Sequence, residues 1–240
     1  EDLDMLRRIG VRSDKLHLLG NGVDLGRFDP DAVPADSRAA LRREWGVPAD
    51  AIVCGAVGRL VHEKGYRDLF GAARLLRDAS PEVHFVIVGP RDDAKSDALS
   101  AAEIDRARQE PNVHMVGARD DVEACYTAFD MYALASYREG FPRSAMEAAA
   151  MSLPVVATNI RGCRQVVDHG RTGLLVEAHD ADALAGAVGE IAADASHRGR
   201  MAVAGREKAL KEFDDRRCID VTLAVYDDLC GRSSRRRAVA

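Results

Sequence analysis

The stretch Tyr137-Arg138-Glu139-Gly140-Phe141-Pro142-Arg143-Ser144-Ala145-Met146-Glu147 sets two carboxylates eight positions apart around a Gly-Phe-Pro turn. The alanine-rich run through Ala148 to Ala150 and Met151 reads as a helix that stops near Ser152-Leu153-Pro154. Pro142 suits the first helical position, where a missing N–H is harmless and φ is already helical. The N–H groups around Phe141 to Ser144, with the positive end of the helix dipole, make a site for an anion, phosphate above all. Glu139 falls just before that site. Glu147, five residues past Pro142, falls about 7.5 Å further along the axis at ~1.5 Å per residue. Carboxylates repel phosphate and only accept hydrogen bonds, so their small-molecule partners are hydroxyls. Hydroxyls on both sides of a phosphate describe a nucleotide sugar. An isolated pair at this spacing is commonly a loop charge and an exposed helix glutamate, so the surrounding elements must decide.

Working outward, the neighbours repeat one unit. Ala51 to Val57 is an apolar run of buried-strand length that opens into Gly58-Arg59-Leu60-Val61-His62-Glu63-Lys64-Gly65. A helix follows with Leu69, Phe70, Ala73, Leu75 and Leu76 at helical spacing. Further strands are expected at 83–88, 113–116, 131–134, 155–157 and 174–176, with helices at 97–109, 121–128, 181–193, 197–212 and 216–230. Alternation of this kind implies an α/β fold with a doubly wound, Rossmann-like parallel sheet, its ligands beyond the carboxyl ends of the strands. Upstream, residues 1–14 read as a short polar helix and Lys15 to Leu19 as a strand broken by the Asn21-Gly22 turn. Ser37 to Trp45 reads as a helix ended by Gly46 and Pro48.

Charge sharpens the phosphate argument. A diphosphate beside two glutamates needs compensating positive charge, and a helix end supplies only about +0.5. Arg59 offers a planar fork and Lys64 a compact ammonium, both suited to phosphate oxygens. They share the loop where a ligand would be met; taken alone, such a loop more often carries two solvated charges.

The chain of 240 residues is 47% hydrophobic, enough for one or two globular domains with ample core. Its formal charge of −5 does not mark a nucleic-acid binder. No apolar run approaches the ~20 residues of a membrane span. Five scattered cysteines without a C-x2-C pair read as reduced thiols of a cytosolic protein, neither disulfide frame nor zinc site. The strings Asp2-Leu3-Asp4 and Asp180-Ala181-Asp182 resemble metal-binding D-x-D, but one is terminal and the other sits where a helix cap is expected. No G-x-G-x-x-G or P-loop is present. No metal and no cofactor beyond the co-substrate is expected.

The Glu139 to Glu147 segment resembles the signature of family 4 glycosyltransferases, retaining enzymes of the GT-B fold, and specifically their C-terminal, donor-binding half. The resemblance covers roughly residues 15 to 215. It implies that Glu139 holds hydroxyls of the transferred sugar, that Glu147 holds the ribose, and that the backbone at Gly140 and Phe141 faces sugar and diphosphate. Pro142 and Arg143 complete that helix start. Arg59 and Lys64 would grip the diphosphate, so Glu139, Lys64 and Arg59 are the candidate catalytic residues. Gly117-Ala118-Arg119-Asp120 resembles the family's base-binding turn, with Gly117 and Arg119 as donor contacts made largely through backbone; a simple turn is the competing reading. Arg161-Gly162-Cys163-Arg164 resembles a subgroup that builds capsule, exopolysaccharide or protein-linked glycans on polyprenyl-diphosphate carriers.

The implied division is 1–30, end of an N-terminal domain and hinge; 31–215, nucleotide-sugar-binding domain; 216–231, C-terminal helix; and 232–240, a basic, disordered tail. The absent N-terminal domain would carry the acceptor site. The resemblance implies a hexosyltransferase-type glycosyltransferase (EC 2.4) using a UDP-sugar, with retention, on a polyprenyl-diphosphate-linked glycan. Other GT-B chemistry, such as an epimerase or phosphorylase, and a non-catalytic nucleotide-sugar-binding fragment are the alternatives. The expected location is the cytoplasm, with peripheral contact to the inner face of the cell membrane through the arginine tail as a variant. Ala135 and Ser152 depart from the family's usual proline and glycine.

Overall fold

A computed structural model of the chain describes residues 2–92 and 94–230. Six strands, β1 (Ile52–Val57), β2 (Val83–Val88), β3 (Val113–Gly117), β4 (Met131–Leu134), β5 (Val155–Thr158) and β6 (Gly173–Val176), form one sheet in the order β3-β2-β1-β4-β5-β6. Every neighbouring pair is parallel. The doubly wound α/β architecture expected from the sequence is therefore present.

The strands alternate their side chains between two cores. Val53, Val86, Tyr132, Leu134, Val155 and Ala157 face one layer, with residues of α2 (Ser37–Glu44), α5 (Val122–Thr127), α6 (Arg143–Ala150), α7 (Arg161–Val166) and α9 (Ala195–Glu212). Cys54, Ala56, Phe85, Ile87, Met131, Ala133 and Val156 face the other, with α3 (Tyr66–Ala79), α4 (Ala101–Arg108) and α8 (Ala181–Ala193). Each fully buried large side chain favours folding by roughly 1.5–3 kcal/mol over its exposed state, so covering both faces sets the architecture.

Local details depart from the sequence reading for identifiable reasons. The first helix, α1 (Asp2–Arg8), is shorter than 1–14, whose first residue lies outside the described residues. Lys15 to Leu19 form no strand: Lys15 closes a 3-10 turn, Leu18 and Leu19 are exposed, and a strand needs a neighbour that this segment lacks among the described residues. Helix α4 starts at Ala101 instead of Asp97 because Ser100 and Glu103 form a reciprocal capping box. Leu75 is exposed, so the apolar stripe of α3 is Leu69, Phe70, Ala73 and Leu76. Asp180 caps α8 through the Ala183 N–H, the role its sequence position implied. The last helix, α10 (Asp215–Leu229), has no buried residue and exposes Ile219, Leu223, Tyr226 and Leu229. The arginine tail read at 232–240 lies outside the described residues.

At the amino ends of β2 and β3, His84 Nδ1 and His114 Nε2 lie 2.9 Å apart in stacked rings, and His114 Nδ1 lies 3.1 Å from the Trp45 carbonyl. One hydrogen is shared between the two rings while at least one of them is neutral, and double protonation sets two N–H groups face to face. Burial pushes both pKa values down from 6.5, with the neighbouring ring adding to the effect at His114. A lowered folded-state value means the unfolded chain takes up protons first, so stability falls as pH drops below about 6.5. Urea midpoints between pH 7.5 and 5.5 are expected to decline, and a His84→Gln/His114→Gln variant to lose most of that slope.

Candidate functional site

The sheet order reverses between β1 and β4, and the loops leaving their carboxyl ends flank the crevice where such sheets bind ligands. The loop after β1 makes a 3-10 turn, His62–Lys64, and closes at Gly65 with φ of 69°. A Cβ there would stand 1.9 Å from the Ala135 carbonyl oxygen, so only glycine lets the two loops meet. Backbone contact continues where the Tyr137 N–H donates to the Glu63 carbonyl at 2.9 Å. Arg138 Nε donates to Glu63 Oε1 at 2.6 Å. Lys64 Nζ then donates to Glu139 Oε1, also at 2.6 Å, with the carboxylate 12% and the ammonium 28% exposed. Two candidates found 75 positions apart are thus one ion pair at the mouth of the crevice.

Gly162, in the first turn of α7, lies against the Glu139 backbone, where an added Cβ would be 2.4 Å from the Glu139 carbonyl oxygen. Gly140 is exposed with open space where its Cβ would be. These two glycines make a paired test. Gly162→Ala is expected to displace Glu139 and lower any activity that depends on that carboxylate by at least about tenfold, roughly 1.4 kcal/mol in the transition state. Gly140→Ala is expected to leave the unfolding free energy from urea titration within about 0.5 kcal/mol of wild type.

Helix α6 begins at Arg143, one residue later than expected, because Pro142 is the N-cap with ψ of 104°. No side chain caps it, so the first-turn N–H groups of Arg143, Ser144 and Ala145 remain available to an anion. The Phe141 carbonyl accepts from Asn21 Nδ2 at 3.3 Å, which fixes the turn before the helix. Glu147 accepts a hydrogen bond from the Tyr126 hydroxyl at 2.9 Å, and the same hydroxyl lies 3.1 Å from the Ser144 carbonyl. Burial pushes the Glu147 pKa up, opposed by the Tyr126 hydroxyl and the charges of Arg143 and Arg27.

The remaining candidates occupy the other side of the crevice. Arg59 is half-exposed and paired with Asp92 at 3.0 Å, so at rest it is held beside the loop after β2. Arg119 is turned to structure: its fork holds Asp121 at 2.7 and 2.8 Å and its third nitrogen reaches Glu44 at 2.7 Å. Only the backbone of its turn is left for a ligand. Next to that turn, Leu60, Gly89, Pro90, Met115, Gly117 and Ala118 line, with α4, a cavity of about 410 Å³. Its wall at Leu60, Gly89, Pro90 and Met115 is small and apolar and accepts a flat ring, while Arg91, Asp105 and Arg108 add charge to the lining. Tyr126 and Asp92 carry part of the site's geometry and belong to no linear motif, whereas Gly162 lies in the Arg161-Gly162-Cys163-Arg164 string, whose contact with the Glu139 backbone only the fold reveals. Among the described residues, no group of three or more His, Cys, Asp or Glu side chains is placed to hold a metal ion.

A parallel sheet with an uncapped helix start and a Lys–Glu pair at its switch point is the architecture of a Rossmann-like binding domain. The sequence profile described as "Glycosyl transferases group 1" matches residues 37–208, and the chain belongs to that family. It is 34% identical over 239 residues to a D-inositol 3-phosphate glycosyltransferase of Xylanimonas cellulosilytica, covering 98% of this chain and 55% of the relative. It is 26% identical over 225 residues to an N,N'-diacetylbacillosaminyl-diphospho-undecaprenol alpha-1,3-N-acetylgalactosaminyltransferase of Campylobacter jejuni, covering 93% and 57%. Among solved structures it is similar to Anabaena Alr3699/HepE in complex with UDP and glucose, with a TM-score of 0.79, 25% identity, and 95% and 60% of the two chains covered. The fold is that of the GT-B glycosyltransferases, and the chain spans a little over half the length of the relatives it matches.

Proposed function

We propose that the chain is the donor-binding half of a retaining glycosyltransferase that uses a nucleoside-diphosphate sugar. The observation that supports this most is the Lys64–Glu139 pair beside an uncapped helix start. Cation and N–H groups suit a diphosphate, and the carboxylate suits sugar hydroxyls. In this reading the acceptor hydroxyl attacks the anomeric carbon as the bond to the diphosphate oxygen breaks. The acceptor's proton passes to that leaving oxygen, giving glycoside and nucleoside diphosphate. Lys64, Arg59 and the first turn of α6 stabilise the charge that grows on the leaving group, and the N–H groups of that turn are aimed before the reaction begins. Arg59 reaches the phosphate by leaving Asp92, to which only a half-exposed ion pair ties it.

The donor is a UDP-sugar, supported by the UDP bound in the Anabaena structure, with the base in the slot beside Gly117 and the ribose on Glu147. The acceptor is a polyprenyl-diphosphate-linked glycan, supported by the Campylobacter relative. It is brought by a second domain, hinged near residues 20–30 and packed on the exposed apolar faces at Leu18, Leu19 and α10. The enzyme works at the cytoplasmic face of the membrane; among the described residues, no helix is long and apolar enough to cross a membrane.

Mass spectrometry of products from the complete protein, a UDP-sugar and a polyprenyl-diphosphate-linked acceptor tests the reaction. Glycoside plus UDP is expected. Free epimerised sugar without glycoside would assign epimerase chemistry instead, and unchanged donor would leave a binding module.

A further inference from the structure

We infer that Arg27 is a positioning residue for the ribose end of the site, locking the turn at 117–120 and the Tyr126–Glu147 pair into one frame. The inference rests on the reading that Glu147 faces ribose hydroxyls and that this turn faces the base. The Asp24 carboxylate first fixes the direction of the side chain, accepting from the Gly26 and Arg27 N–H groups at 2.9 and 3.0 Å. From that tight turn the guanidinium reaches two elements at once. Nε donates to Glu123 Oε2 on α5 at 2.9 Å, and Nη2 donates to the Asp120 carbonyl at 3.1 Å. Its carbon stands 5.4 Å from the centroid of the Phe28 ring. Phe28 packs edge-on against Tyr126 at 5.9 Å, and Tyr126 donates to Glu147. One planar fork therefore ties the segment before α2 to the turn after β3, to α5, and through two aromatic rings to the ribose carboxylate.

Geometry and charge act in the same direction. A lysine could make one of these bonds at a time, whereas the guanidinium presents its donors in a fixed plane. Arg27 also favours the charged form of Glu147, against the burial that disfavours it. The groups facing Glu147 are Tyr126 from α5, Tyr132 from β4, Arg143 on its own helix and Arg27; those facing Arg27 are Glu123, Glu147 and Asp24. With Arg27 removed, Arg143 is the remaining cation at Glu147, and the carboxylate ionises at higher pH.

The test compares UDP with 2′,3′-dideoxy-UDP by titration calorimetry, on wild type, Arg27→Met and Arg27→Lys. A carboxylate–hydroxyl bond is charge-assisted, so wild type is expected to prefer UDP by roughly 10- to 150-fold at pH 8. Arg27→Met is expected to lose most of that preference through weaker UDP binding, with dideoxy-UDP nearly unchanged. Any fall of the residual preference on acidification should begin at higher pH than in wild type, because the Arg27 charge that favours ionised Glu147 is gone. Arg27→Lys keeps the charge and loses the fork, so its preference should be intermediate, with the pH dependence of wild type. Should Arg27→Met fail to fold, the lysine variant alone supplies the comparison. An equal loss for both ligands would make Arg27 merely structural, and no loss would remove it from the site; either overturns the inference. Wild type that binds both ligands equally refutes the ribose role of Glu147 and this inference with it. Wild type that binds neither refutes the donor reading itself.

Discussion

Lys64→Ala is expected to weaken nucleotide-sugar binding or turnover by about 10- to 150-fold, the equivalent of one charge-assisted hydrogen bond worth roughly 1.5–3 kcal/mol. Its Nζ is the nearest cation to the Glu139 carboxylate, at 2.6 Å. Truncation leaves a carboxylate only 12% exposed without its partner, facing the place proposed for a diphosphate. The loss is therefore double: one attraction to phosphate disappears and one repulsion is uncovered. Stability should fall by about 1–3 kcal/mol, between the value of a surface pair and that of a fully buried one. Glu139→Gln separates the two roles. It removes the acid that would hold sugar hydroxyls and frees Lys64, so turnover should drop while UDP itself binds as well as before or better. If Lys64→Ala and Glu139→Gln act on one pair, the double variant will lose less than the sum of the singles. Additive losses would mean that the pair is incidental.

Asp130→Ala is expected to lower folding stability by about 3–5 kcal/mol while leaving nucleotide affinity of the folded fraction intact. Asp130 precedes β4, at the end of the sheet away from the crevice. It joins Arg38 at 2.6 Å, Arg42 at 2.7 Å and the Val53 N–H at 2.8 Å. Arg42 is buried and also donates to the carbonyls of Ala51 and Ala128, both at 2.9 Å. Removing the carboxylate strands a buried guanidinium, the costly half of breaking such a pair. Burial alone would raise the Asp130 pKa, but the Val53 N–H and the two arginines outweigh it and hold it below 3.8. A depressed carboxylate contributes stability that is present above its unfolded-state value and lost as pH falls through the folded one. Urea midpoints of wild type should therefore decline further below pH 4, and those of the alanine variant should decline less there.

The fold was legible because the strands are short, mainly apolar runs, three of them closed by a glycine, as at Val57-Gly58, Val88-Gly89 and Val116-Gly117. Lys15 to Leu19 misled because apolar residues on a surface look the same in sequence as apolar residues in a sheet. Exposure of Leu18 and Leu19 is a tertiary property. The boundaries of α4 and α6 followed caps: the Ser100–Glu103 box was written in the sequence, but Pro142 as N-cap required the backbone. Within the candidate site, residue types and loops were readable, and pairings were not. Nothing in the sequence joins Arg59 to Asp92, Arg119 to Glu44 or Tyr126 to Glu147, because these contacts depend on strand order. Arg27 was passed over for the same reason, since its partners lie more than 90 positions away.

Titration calorimetry of UDP, GDP and ADP against the complete protein, repeated with Lys64→Ala, tests the central claim most directly. The account predicts saturable binding of UDP, weaker binding of the purine diphosphates, and a loss of about 10- to 150-fold in the variant. Flat isotherms for all three nucleotides on folded protein, or a UDP affinity indifferent to Lys64, would contradict it.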